Sequence, residues 1–346
     1  MLEYKNDLLE HLRWLREAVL GASAELIVAG HSVQALIRRE PAVLALEPLF
    51  KGNVDGQTLF TPQLHPQADR FMGWLPYPPR RWDAAADRLA FKAHAQKVGL
   101  RVPGTFTEAK GAPADVVVKR PQPSADHPPR GPYRSAFEQP LSEADGEYYE
   151  PLVIGDRLKV WFWCGQAVCA ELDRLPSVLG DGASSLRDLV IHRASFTGPR
   201  TDREAQLLLA RVETVLQFFR TTPSAVLPAG QRQIVDLHHG SELAHPSDRQ
   251  HIDFLSAPDE GWFAEIRKAG PLLLEALPEA QRGDALFTAD IVLDEEGRPW
   301  FLGMNSVFAV HPLVYRAMIP ALLERRGASL PEPLPEQAPA TTADAS

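Results

Sequence analysis

Phe287-Thr-Ala-Asp-Ile-Val-Leu-Asp-Glu-Glu-Gly-Arg-Pro-Trp-Phe-Leu-Gly-Met-Asn305 is the stretch on which the fold turns. Phe287–Leu293 is an apolar strand pattern, Asp294–Gly297 has turn chemistry, and Pro299–Leu302 returns as a second strand. Asp290 sits on the first strand and Asn305 just beyond the second. Side chains that face the same way on paired strands come side by side, so both can point at one site. A carboxylate and an amide carbonyl are hard oxygen ligands, the kind Mg²⁺ takes together with substrate phosphates. A surface aspartate beside a turn-forming asparagine would give the same letters, so the hairpin alone leaves both readings open.

Upstream lies a second hairpin: Arg157–Cys164, a turn at Gly165-Gln166, and a return over Ala167–Leu172. Trp161, Phe162 and Trp163 occupy both faces of its first strand and read as core. Cys164 and Cys169 flank the turn and read as packing residues. Val116-Val-Val-Lys119 is a buried strand that ends on a lysine, and residues 83–98 form an amphipathic helix closed by Gly99-Leu-Arg-Val-Pro103. Residues 120–132 are too proline-rich for a helix or a central strand. Helices are expected at 186–192, 202–219, 261–277 and 312–325, and a short strand at 234–237.

The N-terminal third is less regular. Residues 2–20 carry a helical apolar period, Glu25–Ala29 reads as a strand, and Ser32–Arg39 as a helix. Residues 50–82, ending in Trp74-Leu-Pro-Tyr-Pro-Pro-Arg-Arg81, read as a linker or surface loop. The expected organisation is therefore a small irregular α/β domain over 1–82, an α+β domain over 83–326, and a disordered Pro/Ala-rich tail over 327–346.

The chain has 346 residues, and its 36 basic against 45 acidic side chains give a net charge of −9, which argues against a general nucleic-acid binder. At 45% hydrophobic and 23% charged residues it is neither disordered nor membrane-like. Two cysteines make no disulfide framework, and no leader or membrane span is legible, so a cytoplasmic protein is expected. Self-association is left open. Of the 31 prolines, 12 fall in three short stretches, 76–79, 121–132 and 331–339, so the excess marks a linker, a loop and a tail. No phosphate-loop, dinucleotide, zinc-protease or nucleophile-elbow motif occurs. His238, His239, His245 and His251 lack regular ligand spacing and read as a surface loop. His311, before Pro312, reads either as a substrate contact or as a helix cap.

Taken in order, a series of segments resembles the ATP-grasp ligases, in particular the ATP-grasp module of cyanophycin synthetase and glutathione synthetase-like enzymes. Asp87-Arg-Leu-Ala-Phe-Lys92 with Gly99-Leu-Arg-Val-Pro103 resembles the first helix of that module, and Val116–Lys119 the strand bearing its ATP-binding lysine. Glu147-Tyr-Tyr-Glu-Pro-Leu152 falls at the hinge that receives adenine. Gly155-Asp-Arg-Leu-Lys-Val160, Arg174-Leu-Pro-Ser-Val-Leu-Gly-Asp-Gly182, Ser185-Leu-Arg-Asp-Leu-Val190, Val226-Leu-Pro-Ala-Gly-Gln-Arg232 and Ser241-Glu-Leu243 follow in the same order as in that family.

The resemblance implies an ATP-grasp fold of two α+β subdomains gripping ATP, with Mg²⁺ as the metal. It implies an ATP-dependent joining of a small carboxylate, such as an amino acid or peptide, to an amine through an acyl-phosphate. It assigns Arg88, Lys119, Tyr149, Glu150, Leu152 and Asp156 to ATP, Arg174 and Lys159 to catalysis, and Asp290 and Asn305 to metal. Gly303 departs from the pattern, because the family places a metal-bridging glutamate there. Two alternatives follow: a degenerate ATP-grasp protein that serves as a nucleotide- or partner-binding subunit, or a phosphotransferase on the same fold.

Overall fold

Helix α1 (Leu2–Gly21) buries Leu15, Ala18 and Val19 while Leu9 and Leu20 stay exposed, so its apolar period serves one face only. It belongs with strands β1 (Glu25–Val28), β2 (Ala35–Arg39), β3 (Ala42–Val54), β4 (Gln57–Thr61) and β5 (Ala68–Leu75). These form an antiparallel sheet in which the long β3 pairs with β2, β4 and β5. The computed structural model describes residues 2–54, 57–64, 66–122, 129–198, 201–237 and 243–328. Contacts divide the chain into two units, Met1–Pro78 with Tyr315–Ser346, and Pro79–Val314. The division falls within the proline-rich stretch at 76–79, and the last helix goes with the N-terminal unit.

Two expectations for the N-terminal third are corrected. Ala35–Arg39, read as part of a helix, is a strand paired on both sides, with Arg38 opposite Glu25 and Val43. A short apolar run fits either period, and here Val33, at φ +58°, turns the chain back so that pairing decides. Residues 50–82, read as a linker, contain β4, β5 and the end of β3, and bury Phe50, Phe71, Trp74 and Tyr77. Aromatic burial, rather than regular alternation, holds these strands. Trp74 Nε1 donates to the Val33 carbonyl (2.7 Å), and the Tyr315 hydroxyl accepts from Trp74 N–H (2.9 Å).

The second unit opens with two short helices, α2 (Asp83–Ala86) and α3 (Arg88–Lys97), where one helix was expected. Asp87 breaks the run because its extended backbone lets Oδ1 accept from Leu89 N–H and Ala90 N–H, an N-cap for α3. A three-stranded antiparallel sheet follows, ordered β7 (Arg130–Tyr133), β6 (Val116–Lys119), β8 (Tyr148–Pro151). β9 (Asp156–Trp163) and β10 (Gln166–Asp173) are the expected hairpin. β11 (Ser177–Leu179), α4 (Leu186–Ala194), α5 (Asp202–Phe218) and β12 (Arg232–Ile234) share a core of Leu186, Val190, Leu208, Val212 and Leu216.

Strands β13 (Arg249–Asp253), β14 (Leu286–Leu293) and β15 (Pro299–Asn305) complete a five-stranded antiparallel sheet in the order β13-β10-β9-β14-β15. Helix α6 (Gly261–Leu274) lies between them in sequence, and α7 (Tyr315–Ala328) ends the described chain. The fold class is thus mixed helix and antiparallel sheet, as expected. Beyond Ala328 the expected tail lies outside the described residues. Among the described residues, no helix is long and apolar enough to cross a membrane.

The five-stranded sheet has two unlike faces. Leu158, Val160, Phe162, Ala170, Ala289 and Ile291 bury one of them against Phe91, Ala95, Ile266, Ala269 and Leu273 from α3 and α6. Gly270 on α6 lies at the turn of the β9–β10 hairpin, where an added Cβ would stand 1.9 Å from the Gly165 carbonyl oxygen. Backbone cannot give way as a flexible side chain can. Gly270→Ala is therefore expected to destabilise the chain by about 3 kcal/mol, the cost of overpacking a fitted core, measurable as a shift in urea unfolding followed by circular dichroism.

Candidate active site

Period-two alternation puts the opposite side chains of the same strands on the other face. Strand register aligns His251, Glu171, Lys159, Asp290 and Gly303 in one row across all five strands. Beside it run Asp253, Cys169, Trp161, Thr288 and Asn305 on one side, and Arg249, Asp173, Arg157 and Val292 on the other. A β-bulge on β15 skips Leu302, so Gly303 pairs with Asp290 while Phe301 pairs with Ile291. That extra residue lets Phe301 and Met304, three apart, both enter the core while Gly303 and Asn305 face the polar side.

A cavity of about 330 Å³ lies over this face, lined also by the three-stranded sheet and by α2 and α3. Arg88, Lys119, Arg157, Leu152, Asp290 and Asn305 are among its walls. On β6, Val116 and Val118 turn to a small core while Val117 and Lys119 face the cavity.

Glu150, opposite Val117 on β8, is 2% exposed and lies between two ammonium groups. Lys119 Nζ donates to its Oε1 (2.5 Å), and Lys92 Nζ is 2.6 Å from Oε2. Burial alone would raise the Glu150 carboxyl, but Lys119 and Lys92 outweigh it and hold the group below the ordinary glutamate range. Lys92 has further acceptors in the Gly104 carbonyl and the Thr105 hydroxyl.

Asp290 is the cavity's second charged centre. Arg157 Nη2 donates to Oδ1 (2.8 Å) and Asn305 Nδ2 to Oδ2 (2.9 Å). Burial opposes ionisation, yet Arg157, Lys159 and the Asn305 amide lower its pKa to about 2. Burial pulls the Lys159 ammonium below the usual lysine range against the attraction of Asp290, and the ammonium also sits 5.5 Å from the Trp161 ring centroid.

Other expected residues lie elsewhere. Tyr149 turns away from the cavity into the three-stranded sheet's core, its hydroxyl donating to the Gln139 carbonyl (2.6 Å). Arg174 and Asp156 line a separate groove with Arg193, Arg232 and His245. Arg130 is ion-paired with Glu147, so its neighbours Pro129 and Gly131, and not its side chain, wall the cavity. Residues 123–128, His238 and His239 lie outside the described residues. His245 packs against Phe196 with its ring tilted, and lines the separate groove. Cys164 and Cys169 form no disulfide; the Cys164 thiol donates to the Gly283 carbonyl (3.0 Å), and Cys169 is buried.

Sequence reasoning missed Arg157 and Lys92. Arg157 was findable: it alternates with Lys159 on one strand and therefore shares its face. Lys92 gave no such signal, because its role comes from burial against Glu150.

His311 meets His251 at the far end of the polar row. Leu313 N–H donates to His311 Nδ1 (3.3 Å), which leaves the proton on Nε2, and Nε2 then donates to His251 Nδ1 (3.0 Å). Glu171, His251 and His311 gather within 4.8 Å, but this tautomer makes His311 Nε2 a donor rather than a metal ligand. Burial, then His251, lowers the His311 pKa to about 4.

Mg²⁺, which the sequence resemblance implies, can be tested against these donors. Asn305 spends its amide N–H on Asp290 and keeps its carbonyl oxygen, so one carboxylate and one amide oxygen remain, enough for an ion that also takes phosphate oxygens and water. They do not provide for a bridged pair of ions.

No family model and no curated protein sequence matches the chain. Among solved structures, the chain is similar to a bifunctional glutathione synthetase from Pasteurella multocida, at 12% identity and a TM-score of 0.45, over 92% of this chain and 44% of that one. It thus spans less than half of that protein's length. Similarity extends to the ATP-grasp ligase PsnB complexed with minimal precursor (11% identity, TM-score 0.34, 70% of this chain and 60% of that one). The D-alanine–D-alanine ligase from Bacillus anthracis is similar at 11% identity and a TM-score of 0.36, over 71% and 70% of the two chains.

Two measurements check the electrostatics. Glu150→Gln leaves two lysines without their counter-ion and is expected to destabilise the fold by about 3 kcal/mol in urea unfolding at neutral pH. His311 titrates below its unfolded value of 6.5, so its contribution is present above pH 6.5 and is lost as pH falls towards 4. Over that window the wild type should lose about 3 kcal/mol more than His311→Gln, read from unfolding midpoints at each pH.

Proposed function

We propose that the 79–314 unit is an ATP-dependent carboxylate–amine ligase of the ATP-grasp kind. One observation carries the reading: a cavity lined by Arg88, Lys119 and Arg157 together with the ionised Asp290 carboxylate, the other lining carboxylates of the described residues being engaged in the fold. Fixed cations around one metal-binding acid suit a nucleotide triphosphate, whose transfer chemistry is mainly positioning and charge stabilisation.

In this reading Lys119 and Arg88 hold the phosphates, and Leu152 with Val117 gives adenine an apolar wall. Glu150 does not touch the nucleotide. It fixes the Lys119 ammonium at the cavity wall by a direct hydrogen bond. Asp290 and the Asn305 carbonyl would hold Mg²⁺, which when bound neutralises phosphate charge. Arg157, and after it Lys159, keeps Asp290 ionised from the next strand. Arg174 and Asp156 line the separate groove, and in this reading they would serve the acid substrate rather than the nucleotide.

The reaction balances as follows. A carboxylate oxygen bonds to the γ-phosphorus as that phosphorus parts from the oxygen retained by ADP. An amine nitrogen then bonds to the acyl carbon, phosphate leaves with the former carboxylate oxygen, and the nitrogen loses a proton. Small acids and amines of amino-acid or peptide type are the substrates proposed.

A second reading, a nucleotide-binding subunit that does not ligate, draws on Gly303, which offers no ligand beside Asp290. Phosphate release separates the possibilities. A ligase releases phosphate from ATP only with both a carboxylate and an amine present. Transfer to the acid without any need for amine makes it a phosphotransferase, and nucleotide binding without release makes it the subunit. Lys119→Ala is expected to lower substrate-dependent phosphate release about 100-fold, the usual scale for losing one charge-stabilising donor. A change below threefold would sink the assignment of Lys119.

A further inference from the structure

Carboxylates are scarce in the cavity. Among the described residues lining it they are Asp87, Glu150 and Asp290. Asp87 is committed: Oδ1 caps α3, and Oδ2 accepts from Gln122 Nε2 (3.3 Å). Glu150 is enclosed by Lys92 and Lys119. Only Asp290 is left for a divalent ion, and Arg157 already holds one of its oxygens.

Gly303 faces Asp290 across the β14–β15 pair and supplies nothing. Nothing in the fold requires a glycine there. An added Cβ would meet no atom within 4 Å, and the backbone is not in the left-handed region. The position is therefore open space beside the one available acid.

Arg157 is the group suited to that space. It lines the cavity, and its side chain is 25% exposed. One guanidinium N–H is spent on Asp290, and the planar fork has others to offer phosphate oxygens. We infer that this site works with a single divalent ion, and that Arg157, pinned on Asp290, is the second positive centre on the phosphate being transferred.

The inference rests on the ligase reading above, and its test separates the two. Mn²⁺ binding to the full chain is counted by electron paramagnetic resonance in the presence of a non-hydrolysable ATP analogue. Calorimetry follows the analogue itself. One Mn²⁺ per chain is expected in the wild type, and two in Gly303→Glu, which restores a carboxylate opposite Asp290. Arg157→Ala should cut phosphate release about 100-fold while Mn²⁺ binds at least threefold more tightly, because Asp290 loses its competing guanidinium. A merely structural role would not tighten metal binding. Arg157→Lys should recover part of the activity.

Two Mn²⁺ in the wild type overturns the inference and leaves the ligase reading standing. So does a count that stays at one in Gly303→Glu, or phosphate release within twofold of wild type in Arg157→Ala. If the analogue does not bind at all, both readings fall together. Should Arg157→Ala not fold, the counts for wild type and Gly303→Glu still decide.

Discussion

A strand gives alternate side chains to opposite faces, and five strands in register turn that alternation into two surfaces of opposite character. Along β9, Leu158, Val160 and Phe162 enter the core, which obliges Arg157, Lys159 and Trp161 to stand on the other side. The polar row from His251 to Gly303 follows from this constraint and from antiparallel register. A one-residue slip of β9 would bury Lys159 in the core and turn Val160 to the cavity. Register shifts between Ala167 and Cys169 on β10 and at the bulge at Leu302 on β15, and the second returns Gly303 and Asn305 to the site face after Phe301 has packed inward.

Charge in the cavity is arranged against the character of the whole chain. The protein carries a net charge of −9, yet the described cavity wall presents Arg88, Lys119 and Arg157 with three carboxylates, two of them already engaged. Glu150 makes this tolerable. Three cations gathered without a counter-ion would repel one another, and burying Lys92 at 3% exposure would be costly alone. With Glu150 between them, Lys92 becomes part of the fold and Lys119 is aimed by a fixed hydrogen bond. A buried ion pair contributes little net stability, so its value here is in placing Lys119.

Much of this was legible in sequence, and the limits are physical. Both hairpins could be read because turn residues and apolar strands reinforce each other over short range, and Asp290 and Asn305 do face one site. Lys119 was legible as the end of a buried strand. The bulge was not, since one skipped residue leaves no compositional mark. β2 was missed because five residues cannot distinguish periods of 2.0 and 3.6, and its strand state comes from neighbours on both sides. Tyr149 shows the same limit from the other direction. Glu150 and Leu152 of its segment do line the cavity, but the strand face on which Tyr149 stands is set by Val118 opposite it. Arg174, assigned to catalysis, and Lys119, assigned to ATP, were expected at one site, yet they line different concavities, a separation made by long-range packing alone.

A guanidinium and a metal ion supply positive charge on different terms. Folding partly desolvates Arg157 once, with Asp290 as its partner, so the charge is in place before any ligand binds. In the proposed reading a metal ion would be recruited with the nucleotide and would bring its own hydration to be shed. A site built on Arg88, Lys119 and Arg157 would therefore attract a polyanion even without metal. That attraction would weaken with ionic strength wherever the cations are still open to solvent. Arg157 and Asp290 also constrain each other, because a metal on Asp290 must share the carboxylate with the guanidinium, and each weakens the other's hold. The open space at Gly303 fits that economy, since a second acid there would draw Arg157 off Asp290 or call for a second ion.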